Sequence, residues 1–335
     1  MTAATRHRLD GLEPDNLLAF LALLGVLRAL EAADRDRPEG GKRHPRAAWD
    51  LDTPPLRPLL CLAVSVTREE VAEAAAAGLS VLAADHDLGQ WTRKDLNYAR
   101  DEALRLLEEV AGNATISARG RADLLAALMS DAAVKEDRHP GNSPIDPTPL
   151  CLLFGQGHQH FLERLAKVPA DPAPPPRGRG KAAVTLSAAD CLAEALFMPW
   201  HRRDPTFSFR WDPEEDVRYA LLAGDPTDPA YKGGTQHGAN RLAAVGLAAI
   251  PLVPETRAGR VRPAIVGGSF GQDGFSFAWP IWSHPATLSA IRALLAHPDL
   301  HKAGGLTHLG VDHLLVARRI SVGKFMNFTR ARPAG

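Results

Sequence analysis

The sequence predicts an α+β fold, with a helix-rich N-terminal half and an antiparallel sheet with flanking helices in the C-terminal half. Three observations support this class. The 335 residues are 45% hydrophobic and 23% charged, which is enough to bury a sizeable core. Aromatic residues make up only 6%, which favours helices over a large β-sandwich. Segments of helical periodicity come first along the chain, and alternating segments follow them.

The first predicted helix covers 15–33 and is apolar around most of its circumference, so we expect it to be buried among several neighbours. Asp15 or Asn16 can cap its start. Gly25 lies in its interior, where glycine costs about 1 kcal/mol relative to alanine, and this indicates close approach of another element. Further helices are predicted at about 67–84, 93–111, 117–135, 150–168, 186–198, 237–249 and 286–297.

Several short segments alternate apolar and polar residues, as strands with one buried face do. We expect 207–211, 275–282 and 313–328 to be strands of one antiparallel sheet, with further strands at 47–52 and near 261–267.

The segment 170–182 is rich in proline and glycine, which favour an extended and then a flexible backbone. It predicts a linker between a mainly helical region, 1–169, and an α+β region, 183–335. The alternative is a mobile loop inside one domain.

The formal net charge is zero, which excludes a uniformly basic nucleic-acid binder. The charge is nevertheless uneven. From Thr256 to Gly335 there are ten Lys and Arg against three Asp and Glu, a surplus of seven positive charges that the first 255 residues balance. A basic C-terminal portion can contact a polyanion, or it can be a solvated basic face.

The C-terminal run 317–335 concentrates this charge and interleaves it with Phe325 and Phe328. Cations neutralise phosphates and aromatic faces stack on bases, so the run is a candidate nucleic-acid contact. Because neighbouring side chains of a strand point to opposite faces, the phenylalanines can instead be core and the cations its rim. The candidate cations are Arg318, Arg319, Lys324, Arg330 and Arg332.

The segment GTQHGANRLAAVG, 234–246, would place His237, Asn240 and Arg241 at the start of a helix, where free N–H groups attract anions. A phosphate contact is therefore a candidate function. The segment has neither the GK[ST] of a P-loop nor a strand–GxGxxG–helix order. In the alternative, Asn240 caps the helix and Arg241 is solvated.

The segment GQGHQHF, 155–161, forms a polar cluster of Gln156, His158, Gln159 and His160. Its histidines could bind a metal ion, but on a helix they would lie about 200° apart, and no second ligand pair has metal-site spacing. We therefore predict no metal site and no cofactor. A polar insertion into the interior is the favoured interpretation, and a nucleic-acid contact remains open.

A run of carboxylates, Asp212, Glu214, Glu215 and Asp216, could hold Mg²⁺ or form a solvated turn between strands. No motif of a known nucleophile or triad is present, so we predict a protein that is not an enzyme. An enzyme with an unfamiliar site around His158, His160 and His237 remains an alternative.

The three cysteines, Cys61, Cys151 and Cys191, are odd in number, widely spaced and set in apolar runs. This pattern predicts buried, reduced thiols and a cytoplasmic protein. The N-terminus has no apolar signal-peptide region, and the stretch 17–30 is too short to cross a bilayer, so we expect no membrane role.

Four blocks occur in a familiar order after LDGLEPDNLLAFLALLGVLRALE (9–31): FRWDP, HGANRLAAVGL, FSFAWPIWSHP and ARRISVGKF. This order resembles the large-subunit-like and Csb-series proteins of type I-U (I-G) CRISPR systems. The resemblance implies a non-enzymatic subunit of a Cascade-like effector complex that contacts nucleic acid during target recognition. The implied partners are other Cascade subunits, CRISPR RNA and/or target DNA, and the separate helicase-nuclease. The alternative is an assembly subunit that bridges proteins without touching nucleic acid.

Overall fold

The computed structural model describes residues 5–87, 93–115, 119–135, 141–153, 160–178, 180–215, 234–322 and 325–334, with backbone alone for Val322 and Phe325. The fold is α+β, as predicted. The helices of the described residues are α1 (Leu17–Ala33), α2 (Arg68–Ala83), α3 (Arg100–Gly112), α4 (Gly120–Leu128), α5 (Phe161–Ala170), α6 (Ala188–Phe197), α7 (His237–Gly246) and α8 (Leu288–Leu295).

The strands form antiparallel sheets. The N-terminal sheet has the order β1-β3-β2, and a separate hairpin pairs β4 with β5. The C-terminal sheet has the order β10-β8-β7-β6, and β9 also pairs with β8. The strands are β1 (Thr5–Arg8), β2 (Arg46–Asp50), β3 (Arg57–Leu62), β4 (Glu255–Arg257), β5 (Arg260–Arg262), β6 (Gly268–Gly271), β7 (Gly274–Trp282), β8 (Val311–Val322), β9 (Phe325–Phe328) and β10 (Arg332–Pro333).

Helix α1 is the centre of the core, which confirms the burial predicted from its apolar circumference. Asn16 caps it, because its side-chain oxygen accepts the N–H of Ala19 at 3.3 Å. All of the 17 residues of α1 are buried except Arg28, Glu31 and Ala33. The two charged exceptions lie on the same side of the helix, one turn apart.

Helix α7 packs against α1 through two glycines, one on each helix. A Cβ atom on Gly25 would lie 1.9 Å from the carbonyl oxygen of Leu242, and one on Gly246 would lie 2.1 Å from that of Leu21. The close approach predicted from Gly25 is therefore confirmed. Because α1 and α7 come from opposite sides of segment 170–182, one apolar core continues across that segment.

The C-terminal sheet presents one aromatic face to this core. Strand β7 pairs with β8 in a register that puts Trp279 opposite Leu315. The indole of Trp279 stacks on the ring of Phe20 in α1, with 5.3 Å between ring centroids. The strand predicted at 275–282 is confirmed, and the one predicted at 313–328 is a hairpin of β8 and β9.

The segment 207–211 was wrongly predicted as a strand of the C-terminal sheet, since it is irregular. Arg210 has a positive φ of 63°, which turns the chain. Phe209 and Trp211 are fully buried and stack at 4.5 Å beside Phe161 of α5. The alternation is real, but the two aromatic rings fill a gap among helices instead of one face of a sheet.

Three helices are shorter than the periodicity predicted. Ala99 is extended and forms a bridge with Pro144, so α3 begins at Arg100. Met129 is extended and ends α4. His160 is the extended residue before α5, so that helix covers only the end of the predicted 150–168.

Candidate functional site: two basic surfaces

The helix start predicted to hold a phosphate is buried. His237, Asn240 and Arg241 are 1–2% exposed. Arg241 donates to the carbonyl oxygens of Pro172 at 3.1 Å and Pro169 at 3.0 Å, and burial lowers its pKa to about 10. Both the phosphate prediction and the alternative of a solvated Arg241 require an exposed side chain, so this placement corrects both.

The side chains of Asn240 and His237 also form hydrogen bonds with other groups of the chain. Asn240 lies inside α7 and donates to the carbonyl oxygen of Gln236 at 3.2 Å, so it does not cap the helix. His237 contacts the carbonyl oxygen of Asp171 through Nε2 at 3.0 Å, and burial lowers its pKa.

The proline-rich segment is fixed by a second arginine. Arg177 binds both oxygens of Glu194 at 2.9 Å and reaches Asp204, whose side chain is 1% exposed, at 2.9 Å. Together with the contacts of Arg241, these bonds attach residues 169–177 to the core.

The cluster in GQGHQHF falls largely outside the described residues, where Gln156, His158 and Gln159 lie. His160 is described, and its Nδ1 lies 2.8 Å from Oδ2 of Asp95. The other oxygen of Asp95 accepts the N–H of Phe161 at 3.1 Å, so the pair helps to start α5. Among the described residues, no group of three or more metal-ligating side chains comes together.

Two carboxylates of the acidic run, Asp212 and Glu215, are bound to groups of the fold and do not form a solvated turn between strands. Asp212 is 5% exposed, accepts from Asn16 at 2.9 Å and pairs with Arg202 at 2.7 Å. Glu215 accepts the hydroxyl of Ser208, and burial raises its pKa to about 7. Asp216 lies outside the described residues.

Arg330 is engaged by three carboxylates. Its guanidinium lies 2.7 Å from Glu214, 2.9 Å from Asp15 and 3.1 Å from Glu13. These ion pairs attach the C-terminal segment to the residues that precede α1. Arg330 therefore stabilises the fold, and its charge is neutralised within the chain.

The remaining C-terminal candidates differ in exposure. Arg318 is exposed and pairs with exposed Asp273 at 3.2 Å, a contact that contributes little to stability. Arg332 is exposed on β10. Lys324 lies outside the described residues, and Phe325 is described only as a β9 backbone partner of Val322.

Arg319 belongs to the first of two basic surfaces. Its guanidinium lies 5.4 Å from the ring centroid of Phe275, that ring is 5.2 Å from the ring of Phe270, and the guanidinium of Arg262 lies 5.7 Å from Phe270. We call Arg262, Phe270, Phe275 and Arg319 the basic row. The order cation, ring, ring, cation crosses from β5 over β6 and β7 to β8.

No direct ion pair with a described residue neutralises the charge of the basic row. Within the described part of the chain, neither Arg262 nor Arg319 has a carboxylate at ion-pair distance, and Arg319 donates to the carbonyl oxygen of Pro149 at 3.1 Å. Burial lowers the pKa of Arg319 and raises that of nearby Asp146. The positive charges of Lys135, Arg262, Arg319 and Arg260 act in the opposite direction and lower the pKa of Asp146.

The second basic surface is a cleft of about 270 Å³ between α1, α4 and α8. Its charged residues are Arg28, Glu31, Arg35, Asp85, Arg119, Asp123 and Arg292. We call it the arginine cleft. A smaller pocket shares Glu31 and Arg35 with it and continues to Lys42, His44 and Arg46.

Most of the unlike charges that line the arginine cleft do not form ion pairs within the described residues. Arg119 pairs with Asp123 at 2.9 Å, but in the described residues no carboxylate lies at ion-pair distance from Arg28, Arg35 or Arg292. Arg28 donates to the carbonyl oxygen of Val245 at 2.5 Å, and burial lowers its pKa. Burial also raises the pKa values of Glu31 and Asp85.

Sequence reasoning missed both Arg262 and the arginine cleft. The cleft had one usable signal: Arg28 and Glu31 interrupt an otherwise apolar helix at a spacing of three residues, which puts both on one face. The basic row had a weaker signal in TRAGRVR, 256–262, where alternating arginines flank a turn.

Comparison of the chain with protein-family models, with curated proteins and with solved structures gives no match. A search of the described helices for a segment long and apolar enough to cross a membrane finds none.

Proposed function

We propose that the chain is a non-enzymatic, cytoplasmic subunit of a type I CRISPR effector complex, the class that its sequence resembles, and that it contacts nucleic-acid phosphates through the basic row. The observation that carries this proposal is the pair of guanidinium groups, Arg262 and Arg319, that lie on aromatic faces without a carboxylate partner in the described residues.

The chemistry of the basic row suits a polynucleotide. Guanidinium groups are weakly hydrated, bind phosphates in a fork geometry and stack on rings. Phe270 is half-buried on edge strand β6, so part of its ring is open to a base or sugar. Exposed Arg257 and Arg260 on the β4–β5 hairpin extend the same charge. Such contacts position a strand and do not read its sequence.

The test uses the reconstituted effector complex and the double variant Arg262→Gln, Arg319→Gln. Each lost duplex phosphate contact reduces the slope of log affinity against log salt by about 0.9, so we expect the slope to flatten by about 2. The reduction should be similar for unrelated DNA sequences. The matched control is Arg105→Gln, which removes an exposed arginine of α3 and should leave the slope unchanged.

Two outcomes would overturn the proposal. If the complex is intact and the slope of log affinity against log salt is unchanged, Arg262 and Arg319 do not contact phosphates. Loss of assembly with an unchanged slope for the subcomplexes that remain would favour the bridging subunit. Co-purification with the products of neighbouring genes, followed by nucleic-acid extraction, tests membership of the complex separately.

A further inference from the structure

The arginine cleft holds a combination of groups that the basic row does not. It is a half-open space of about 270 Å³ in which three arginines, Arg28, Arg35 and Arg292, share the lining with two carboxylates, Glu31 and Asp85. None of these three arginines has an ion pair among the described residues. We propose that this cleft is a binding site for a 5′-phosphorylated ribonucleoside. The arginines would bind the phosphate, and the carboxylates would accept hydrogen bonds from the ribose hydroxyls.

The arginines make the cleft selective for an anion. Arg28 is half-buried and, among the described residues, its guanidinium donates a hydrogen bond only to the carbonyl oxygen of Val245. A guanidinium has five N–H donors, so most of those on Arg28 remain for another acceptor. Arg292 reaches the same space from α8, and Arg35 from the turn after α1. Three converging cations match a phosphate monoester better than a diester or a carboxylate, because only the monoester approaches two negative charges.

The two carboxylates of the cleft indicate a ligand that has hydroxyl groups as well as a phosphate. Glu31 and Asp85 are not paired with the arginines among the described residues, so they keep free acceptor oxygens on the same cleft. An acidic side chain beside a phosphate site commonly accepts a hydrogen bond from a ribose hydroxyl. The carboxylate of Asp85 is held against the start of α4, because a Cβ atom on Gly120 would lie 1.8 Å from its Oδ2.

The volume of the cleft suits a ligand of about one nucleotide. Pockets for drug-sized ligands usually measure about 300–1,000 Å³, and this cleft lies just below that range. A free nucleoside monophosphate and the 5′-phosphorylated end of an RNA strand would present the same phosphate and ribose groups to the cleft. The experiment therefore includes both sources.

The direct test is isothermal titration calorimetry on the full chain. Adenosine 5′-monophosphate should bind, adenosine should not, and inorganic phosphate should bind more weakly than the nucleotide. Arg292→Gln should weaken nucleotide binding about tenfold or more, as loss of one charge-assisted hydrogen bond does. Asp85→Asn should reduce the preference for the nucleotide over inorganic phosphate. The matched control, Arg105→Gln, should change neither affinity.

A second arm compares one short RNA with a 5′-phosphate or a 5′-hydroxyl. A preference for the phosphorylated end that disappears in Arg292→Gln identifies an RNA terminus as the source; equal binding of the two RNAs, with nucleotide binding intact, identifies the free nucleotide. The inference is overturned if no ligand binds at millimolar concentration, or if Arg292→Gln binds the nucleotide as tightly as the wild-type chain. Because Arg262→Gln, Arg319→Gln leaves the cleft intact, its nucleotide affinity distinguishes this inference from the proposed function.

Discussion

Two groups of arginines in this molecule have the same chemistry and opposite surroundings. Arg177 and Arg330 are each bound by two or three carboxylates within 3.2 Å. Arg28 and Arg292 share a cleft with carboxylates but have none at ion-pair distance in the described part of the chain. The bound arginines therefore hold segments together, while the cleft arginines keep donors available. Whether an arginine can bind a ligand therefore depends on which carboxylates the fold brings next to it, and not on its position in the sequence.

The largest effect is expected at the first group. Arg177→Met should lower the free energy of unfolding by about 3 kcal/mol, because it leaves Asp204, 1% exposed, as a buried charge without its cation. Urea denaturation measures this. The control is Arg332→Met, since exposed Arg332 should change stability by less than about 0.5 kcal/mol. A loss below about 1 kcal/mol at Arg177 would break the distinction between the two groups.

The fold was predictable where local pattern and packing agree. The apolar circumference of α1 required burial, and Gly25 in its interior required a close neighbour, which is α7. Strands β7 and β8 followed from alternation. The pattern at 207–211 misled because alternation places Phe209 and Trp211 on one side without saying whether a sheet or a group of helices covers them.

The candidate site was less predictable, because it depends on contacts distant in sequence. Nothing near Arg330 in the sequence shows that Glu13, Asp15 and Glu214 surround it. Nothing near Arg241 shows that proline carbonyls cover it. The charge count along the sequence identified the C-terminal portion as basic. It could not show which of its cations form ion pairs in the fold, as Arg330 does.

A second, smaller effect is expected at Arg330. Arg330→Met should destabilise the chain by about 1 kcal/mol at pH 7, because the group is partly exposed and screened by solvent. The hydrogen bond from Arg330 lowers the pKa of Glu214 below its ordinary value of 4.5. A depressed pKa contributes stability above the unfolded value, and that contribution is lost as the pH falls through the folded value.

The difference in unfolding free energy between wild type and Arg330→Met should therefore be constant above about pH 5 and narrow below pH 4.5. Urea titrations at a series of pH values measure it. If the difference is the same at pH 3 and pH 7, the carboxylates do not bind Arg330 in the folded chain, and Arg330 belongs with the cleft arginines.

The smallest effect has the opposite sign and is expected in the arginine cleft. Burial raises the pKa of Asp85 above its ordinary value of 3.8, so the folded chain holds the proton more tightly than the unfolded chain. Stability consequently falls as the pH rises from 3.8 through the folded value. Asp85→Asn removes this cost. It should raise the free energy of unfolding at pH 7, by less than about 1 kcal/mol, and have no effect below pH 3.8. Exposed Asp312, changed to Asn, is the control. If Asp85→Asn destabilises the chain at pH 7, then Asp85 is bound as Glu214 is, and the cleft is a structural ion-pair network.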